Sequence, residues 1–221
     1  MGKTLRIIAI VFMGLTAAMN ILGGIGTVCA AFLTKKFPPM WALLDYQWLY
    51  QILMIVTILI GLGGVWALIR LIKGGKTAYR DAMILLVVGA VVAGVHMYAS
   101  LALRGKAVPA NVKFYINAIT LLIFLLLRLP GIREQVRFSD PSDPGTRAAA
   151  SGAAAIIVGL VVLSTTLWVG ESHIYQGANW THVLKIPLMA SGLALLTLGA
   201  LRLALDILPR RWRSIFARQK G

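Results

Sequence analysis

Long apolar stretches separated by short, positively charged connections make up most of this chain. Four of them carry no charge over the 20 or so residues that a helix needs to cross a hydrocarbon core of about 30 Å. Two shorter stretches reach that length only with their flanking residues. The pattern predicts an all-α, polytopic membrane protein with six transmembrane helices. The predicted spans are residues 7–33, 48–70, 82–103, 111–129, 148–170 and 186–208.

The connection after the fourth span divides the chain. It contains the sequence SDPSDPG, whose Asp, Ser, Pro and Gly residues stop helices and favour turns. We therefore expect four helices in residues 1–130, a cytoplasmic linker at 131–147, and a two-helix hairpin with a basic C-terminal tail in residues 148–221. The fourth span is the shortest, so it requires Lys113 and Arg128 to extend their charges into opposite headgroup regions.

The distribution of basic residues predicts the orientation. The net charge is +15, and most of the 22 Lys and Arg residues lie in the N-terminal segment, in alternate connections and in the C-terminal tail. The positive-inside rule places these segments in the cytoplasm. We expect both termini to be cytoplasmic (N-in, C-in), in the inner (cytoplasmic) membrane of a bacterium, because the loop-poor design is typical of bacterial proteins. We therefore expect these basic segments to interact with the lipid bilayer and not with nucleic acid.

Composition argues against a catalytic domain. The chain is 59% hydrophobic and 13% charged, whereas soluble domains are roughly half apolar and a quarter charged. It contains no phosphate-binding loop, zinc-protease motif or serine-hydrolase motif. No Asp or Glu lies in the middle of a predicted span, which counts against proton- or sodium-coupled transport. We expect no enzymatic activity from the chain by itself.

Small residues recur in the predicted spans. Lipid provides no hydrophobic drive for helices to associate, so helix packing depends on small residues that let backbones approach. Two amides inside the spans, Asn20 and Asn117, are expected to form hydrogen bonds between helices. A cofactor ring pressed against the backbone would need the same small residues and stays the alternative. The glycines predicted to lie at helix–helix contacts are Gly23, Gly24, Gly61, Gly64, Gly94, Gly152, Gly159, Gly192 and Gly199.

Three histidines are the candidate cofactor-binding residues. His96 lies in the third span toward the predicted outer side, and His173 and His182 lie in the predicted outer loop between the last two spans. Neutral imidazole is a good axial ligand for haem iron, and two facing imidazoles make a b-type haem site. We therefore predict His96 as a metal ligand, with either loop histidine as its partner. The alternative is that His96 bonds to a neighbouring helix and that the loop histidines are solvated.

Two further interpretations concern charged residues. Zinc could be bound by the three histidines, with Glu171 as the one obvious candidate for a fourth ligand. Arg202 and Asp206 lie four residues apart near the end of the sixth span, where they would share a helix face and form an ion pair.

Together these features predict a non-catalytic integral membrane subunit of a larger electron-transfer or energy-converting complex. It would anchor other membrane or extrinsic protein subunits and hold a b-type haem or a quinone near the outer face. The alternative is a small-solute transporter or its substrate-binding membrane component, with Gly-rich spans around a pocket. A lipid-modifying enzyme is disfavoured by the lack of acid–base residues.

Overall fold

Helices make up nearly all of the part of the chain that the structure describes. This computed structural model describes residues 1–207, with the backbone only at 171 and 172, so the basic C-terminal tail lies outside the described residues. One short antiparallel hairpin pairs β1 (Ile174–Tyr175) with β2 (Ala178–Asn179). The helices are α1 (Gly2–Gly26), α2 (Val28–Phe32), α3 (Gln47–Lys73), α4 (Ala78–Arg104), α5 (Ala110–Leu126), α6 (Ile132–Val136), α7 (Pro144–Trp168) and α8 (Lys185–Ile207).

Five helical segments within the described residues are long and apolar enough to cross a membrane. The remaining predicted span, the fourth (111–129), corresponds to α5, which is apolar but only 17 residues long. At 1.5 Å per residue α5 measures about 26 Å, a few ångströms less than the hydrocarbon core. The fold is thus that of a multi-pass membrane protein with five candidate spans. These are Gly2–Phe32, Pro38–Lys73, Ala78–Arg104, Pro144–Trp168 and Trp180–Ile207.

The ends of the helices follow from local backbone chemistry. α4 ends at Arg104 because Gly105 adopts the left-handed conformation (φ 66°), and its N–H donates to the Leu101 carbonyl. α7 begins after Asp143, whose carboxylate accepts hydrogen bonds from the backbone N–H and the hydroxyl of Thr146. The two hydrogen bonds hold the pKa of Asp143 well below its usual range, and the bond from the backbone N–H has the larger effect.

α1 lies at the centre of the packing arrangement. It packs against α3, α5 and α7, while α4 packs against α3 and α5. α8 packs along α7. The two ends of this bundle differ: α1, α4 and α7 begin at the end that contains Arg6, and α3 and α5 begin at the end that contains Tyr50. We refer to these as the Arg6 end and the Tyr50 end.

The α7–α8 contact is built on glycines seven residues apart. A Cβ added to Gly199 would lie 2.7 Å from the carbonyl oxygen of Gly152. A Cβ added to Gly159 would lie 2.9 Å from the carbonyl oxygen of Gly192. The two backbones are therefore in direct contact at two levels, and any larger residue at these positions would push the helices apart.

The other predicted packing glycines lie at contacts within the α1–α3–α4–α5 group. A Cβ on Gly61 would lie 2.9 Å from the Ile21 nitrogen, and a Cβ on Gly64 would lie 2.9 Å from the Ala17 Cβ, so both belong to the α1–α3 contact. Gly24 lies against Ile58 at the same contact. Gly94 lies against the Phe114 ring at the α4–α5 contact, and Gly23 lies against Lys113.

Candidate functional site

A line of buried polar side chains runs through the interior of the helix group α1, α3, α4 and α5. Each member is at most 7% exposed. A polar group in an apolar interior costs free energy unless it is hydrogen-bonded, and an ionisable one inside a membrane is a functional candidate by default. We call this set the polar ladder. From the Tyr50 end inward its members are Tyr50, Ser100, His96, Thr57, Lys113, Asn117, Asn20, Thr120 and Thr16.

Lys113 is the centre of the polar ladder. Its side chain is 3% exposed, and its Nζ lies 3.1 Å from Thr57 Oγ1 and 3.0 Å from His96 Nδ1. The aliphatic stem passes over Gly23, where an added Cβ would lie 3.1 Å from Lys113 Cδ. The expectation that Lys113 extends into the headgroup region is therefore wrong. Hydroxyl and imidazole partners on α3 and α4 hold the ammonium inside, and Gly23 on α1 leaves room for the stem.

No carboxylate neutralises Lys113 among the described residues. The ion pairs found there join Lys3 to Asp143 and both Arg70 and Arg80 to Asp81. Lys113 also lies in the first turn of α5, where the positive end of the helix dipole adds to its charge. A buried ammonium with only neutral partners creates a positive potential that favours an anionic or electronegative group, such as a carbonyl oxygen or a carboxylate.

His96 is enclosed by Lys113 and Tyr50. An ammonium can only donate, so Nδ1 of His96 accepts its hydrogen bond and the neutral ring carries its proton on Nε2. The Tyr50 ring meets the imidazole edge-on, with centroids 5.4 Å apart, and the Tyr50 hydroxyl lies 3.1 Å from Ser100 Oγ. In this arrangement neither ring nitrogen offers a free lone pair, so His96 does not fit the role of an axial haem ligand.

The two loop histidines lie outside the polar ladder. His173 Nδ1 is 3.0 Å from the Val169 carbonyl oxygen, and His182 is exposed in the 3₁₀ turn before α8. Neither loop histidine is the partner of His96, whose imidazole contacts the Tyr50 ring on α3 and accepts a hydrogen bond from Lys113 on α5. Among the described residues no group of three or more His, Cys, Asp or Glu is placed to hold a metal ion. Glu171, the fourth zinc ligand considered, lies outside the described side chains.

The inner half of the polar ladder joins α1 to α5. Asn20 Nδ2 donates to Asn117 Oδ1 at 3.3 Å, which confirms the prediction that these amides bond between helices. One turn further, the hydroxyls of Thr16 and Thr120 are 2.7 Å apart. Gly89 lies directly against Asn117 Oδ1, so any side chain there would displace the amide.

A small cavity lies beside these amides. Its volume is about 10 Å³, and Thr16, Asn20 and Asn117 supply its polar lining. That is about the room for one water molecule, which the three polar side chains could bind. It is far too small for a haem or a quinone ring.

Arg202 and Asp206 both lie on α8. The ion pairs between described residues do not include this pair. Asp206 lies instead where the end of α8 meets the start of α7, because a Cβ added to Gly145 would be 3.5 Å from Asp206 Oδ2.

Comparisons with known protein families, with curated proteins and with solved structures find no match to this chain.

Proposed function

We propose that the chain is a non-catalytic integral membrane subunit of a larger membrane complex, and that the free face of α8 binds a transmembrane helix of another subunit. The observation that carries the proposal is the position of α8 at the edge of the structure. Only 11% of its most apolar window is buried, against 28% to 56% in the other four candidate spans.

The free face of α8 has the composition of a helix–helix contact. Gly192 and Gly199 face α7, and the opposite side of the helix carries small residues that are all exposed. Interfaces between helices in lipid are enriched in small residues, which let backbones approach closely. The α7–α8 contact already uses this device. The small residues of the free face, which recur at helical spacing, are Ala190, Ala194, Thr197 and Ala204.

The proposal includes six spans with both termini in the cytoplasm. α5 reaches the length of a span when the turn at Leu127–Leu129 is added to it. The Arg6 end carries the basic connections, including Arg70, Arg80 and Arg128, which supports its placement on the cytoplasmic side. The electron-transfer character of the complex and the binding of haem or quinone stay predictions from the sequence.

A pair of matched variants tests the docking face. Ala194→Phe places a large ring in the middle of the free face, and Met189→Phe places the same ring at a position that is 46% exposed but lies about 140° around the helix from Ala194. Each full-length protein is extracted from its native membrane with a mild detergent, and the mass of the particle is measured. We expect the wild type and Met189→Phe to migrate in a complex and Ala194→Phe to migrate alone. A wild type that is itself alone, or that forms only a dimer of this chain, would contradict the proposal.

A second function is favoured by one specific observation, the unneutralised charge of Lys113. A substrate-binding component for a small anionic or carbonyl-bearing solute would need such a charge inside the bundle. The test is binding or uptake of small carboxylates by proteoliposomes that contain wild type or Lys113→Gln. Uptake that depends on Lys113 in the isolated chain would favour this function over the subunit proposal.

A further inference from the structure

A short 3₁₀ segment at the Tyr50 end, Pro38–Tyr46, folds back onto the ends of α3 and α4. We call it the surface segment. Its Leu43 is completely buried in an apolar cluster, so the segment covers the end of the polar ladder. The other residues of this cluster come from α2, α3 and α4 and include Ala30, Ala31, Tyr50 and Leu103.

The surface segment presents two different rows of side chains away from the bundle. Side chains three residues apart lie on the same side of a 3₁₀ helix, and Leu43 belongs to the side that packs inward. Trp41 and Leu44 form a second row, which we call the apolar row, and both are exposed, Trp41 to 56%. Ala42 and Asp45 form a third row, also exposed, which we call the polar row. The exposed part of the segment is therefore amphipathic.

The length of α3 gives the depth of the surface segment in a membrane. Arg70 lies at the Arg6 end of α3, where its guanidinium packs over the Trp66 ring. A hydrocarbon core of about 30 Å takes about 20 helical residues, so a core that begins next to Arg70 ends close to Tyr50. The headgroup region adds roughly 5–8 Å on each side of the core. The surface segment precedes Tyr50 and packs against it, which is the level of that region.

Two exposed lysines precede the surface segment. Lys35 and Lys36 lie in a 3₁₀ turn that Thr34 fixes to α3, because its hydroxyl accepts a hydrogen bond from the Gln47 amide at 2.8 Å. The ion pairs between described residues include neither lysine. The Trp41 indole N–H donates to the Lys35 carbonyl, so the ring can enter an apolar layer with its donor satisfied. Two free cations thus lie beside the apolar row.

The 3₁₀ turn before α8 repeats this pattern. Within Trp180–Leu184, Trp180 and Val183 are three residues apart and are exposed to 44% and 72%. The Phe37 ring, next to the surface segment, meets the Trp180 ring edge-on with centroids 5.2 Å apart. This contact holds the two tryptophan-bearing segments at the same level of the bundle.

We propose, independently of the docking role of α8, that the surface segment lies in the phospholipid headgroup layer at the Tyr50 end. The apolar row contacts the acyl chains, the polar row faces water, and Lys35 and Lys36 bind lipid phosphates. Amphipathic segments with tryptophan on the apolar side and lysine at the polar side bind membrane interfaces in this way. The depth given by α3 favours lipid over an extrinsic protein as the occupant, because the apolar row lies next to the end of the hydrocarbon core.

Spin labels on the two rows test the depth. A nitroxide is attached to Leu44→Cys in the apolar row or to Ala42→Cys in the polar row, and Cys29→Ala removes the single native thiol from the full chain. The proteins are placed in vesicles of equal parts phosphatidylglycerol and phosphatidylcholine, and collisions of the label with oxygen and with a neutral, water-soluble nickel chelate are measured. We expect the chelate to reach position 44 about fivefold less often than position 42, and oxygen to reach it more often.

Reversal of the lysine charges tests the phosphate contacts. Lys35→Glu combined with Lys36→Glu should raise the access of the nickel chelate to position 44 about threefold in these vesicles, because basic residues near an anionic surface contribute to binding. The same reversal should change that access much less in vesicles of phosphatidylcholine alone. Lys106→Glu is the control, because Lys106 is an exposed lysine in the α4–α5 connection at the same end of the bundle, and it should leave the access to position 44 unchanged.

Two results would overturn the inference. Equal access of the nickel chelate to positions 42 and 44 would place both rows in water and leave the apolar row open to an extrinsic protein. A charge reversal with the same effect in both kinds of vesicle would show that Lys35 and Lys36 do not bind the lipid surface.

Discussion

The ammonium of Lys113 lies 3.0 Å from Nδ1 of His96, and this contact joins α5 to α4 inside the helix group. It also determines what each residue can do. Because Lys113 donates this hydrogen bond, His96 must accept it. The imidazole is then a hydrogen-bond acceptor for the Lys113 ammonium rather than a metal ligand. Because His96 and Thr57 are neutral, they leave the positive charge of Lys113 uncompensated.

Removing the charge of Lys113 is expected to leave the fold at least as stable as the wild type. Lys113→Met keeps the length of the stem while it eliminates a buried ammonium that has no counter-ion. Replacing buried charges by apolar groups is often neutral or stabilising by about 1–4 kcal/mol, and each lost hydrogen bond to Thr57 or His96 costs about 1 kcal/mol. We therefore expect the free energy of unfolding in detergent to stay within about 1 kcal/mol of the wild type or to rise. A loss above about 2 kcal/mol would mean that Lys113 is a structural residue.

His96→Ala should leave the visible absorption spectrum unchanged, because Nδ1 of His96 accepts from Lys113 and Nε2 carries the ring proton, so neither nitrogen has a free lone pair for iron. The measurement is the reduced-minus-oxidised spectrum of the protein purified from its native membrane. A Soret band that disappears in His96→Ala would contradict this arrangement and support the prediction that His96 is a haem ligand. Phe in place of Tyr50, which removes only the hydroxyl bond to Ser100, is the matched control.

A side chain at Gly89 should disrupt the inner half of the polar ladder. Gly89→Ala places a methyl group on Asn117 Oδ1 and so breaks the amide bond to Asn20. We expect a loss of about 1–3 kcal/mol in the free energy of unfolding, as for other overpacked sites. Gly26→Ala is the control, since nothing lies within 4 Å of the added Cβ. Equal changes in the free energy of unfolding for the two substitutions would show that helix propensity alone, and not the contact with Asn117, explains the effect.

The stability of the α7–α8 contact should likewise depend on the absence of side chains at its glycine positions. Gly199→Ala brings a methyl group to within 2.7 Å of the Gly152 carbonyl oxygen, which is backbone and cannot move aside. We expect α7 and α8 to separate and the Tm to fall, whereas Ala200→Leu, at the exposed neighbouring position, should leave the Tm unchanged. The Tm of each variant in the same detergent gives the comparison. A stable Gly199→Ala protein would contradict direct backbone contact at this level.

Acid should weaken the start of α7 through Asp143. Hydrogen bonds from Thr146 lower the pKa of this carboxyl in the folded protein, so the group stabilises the fold at pH values above its unfolded pKa of about 3.9. That stabilisation is lost as the pH falls toward the lower folded value. Asp143→Asn also caps a helix but does not titrate. We therefore expect the Tm difference between wild type and Asp143→Asn to be constant from pH 5 to 8 and to shrink below about pH 4. A difference that does not change in acid would show that Asp143 does not couple to folding.

The helices could be predicted from the sequence because apolar periodicity and charge-free length are local properties. The spacing of seven between Gly192 and Gly199 likewise identifies a face without knowledge of the partner. Lys113 could not be placed in this way. A lysine at the edge of an apolar stretch has two solutions, the headgroup region or the interior, and the choice depends on Thr57, His96 and Gly23 on three other helices. Asn117, one turn further along α5, was the one local sign that this face of the helix turns inward.

The docking face of α8 was not visible in the sequence for a related reason. Ala190, Ala194 and Thr197 lie on one side of the helix, but small residues can face either a neighbour within the chain or a partner outside it. Only the packing of Gly192 and Gly199 against α7 shows which side is free.

Crosslinking from the free face of α8 in the native membrane tests the central claim most directly. A photoreactive amino acid is introduced at position 194, and at position 189 on a different side of α8 as the control, and the adducts are identified by mass spectrometry. The account predicts that position 194 forms one discrete adduct with a transmembrane segment of a different protein, and that position 189 forms markedly less of it. Adducts with lipid alone at both positions, or with a second copy of this chain alone, would contradict it.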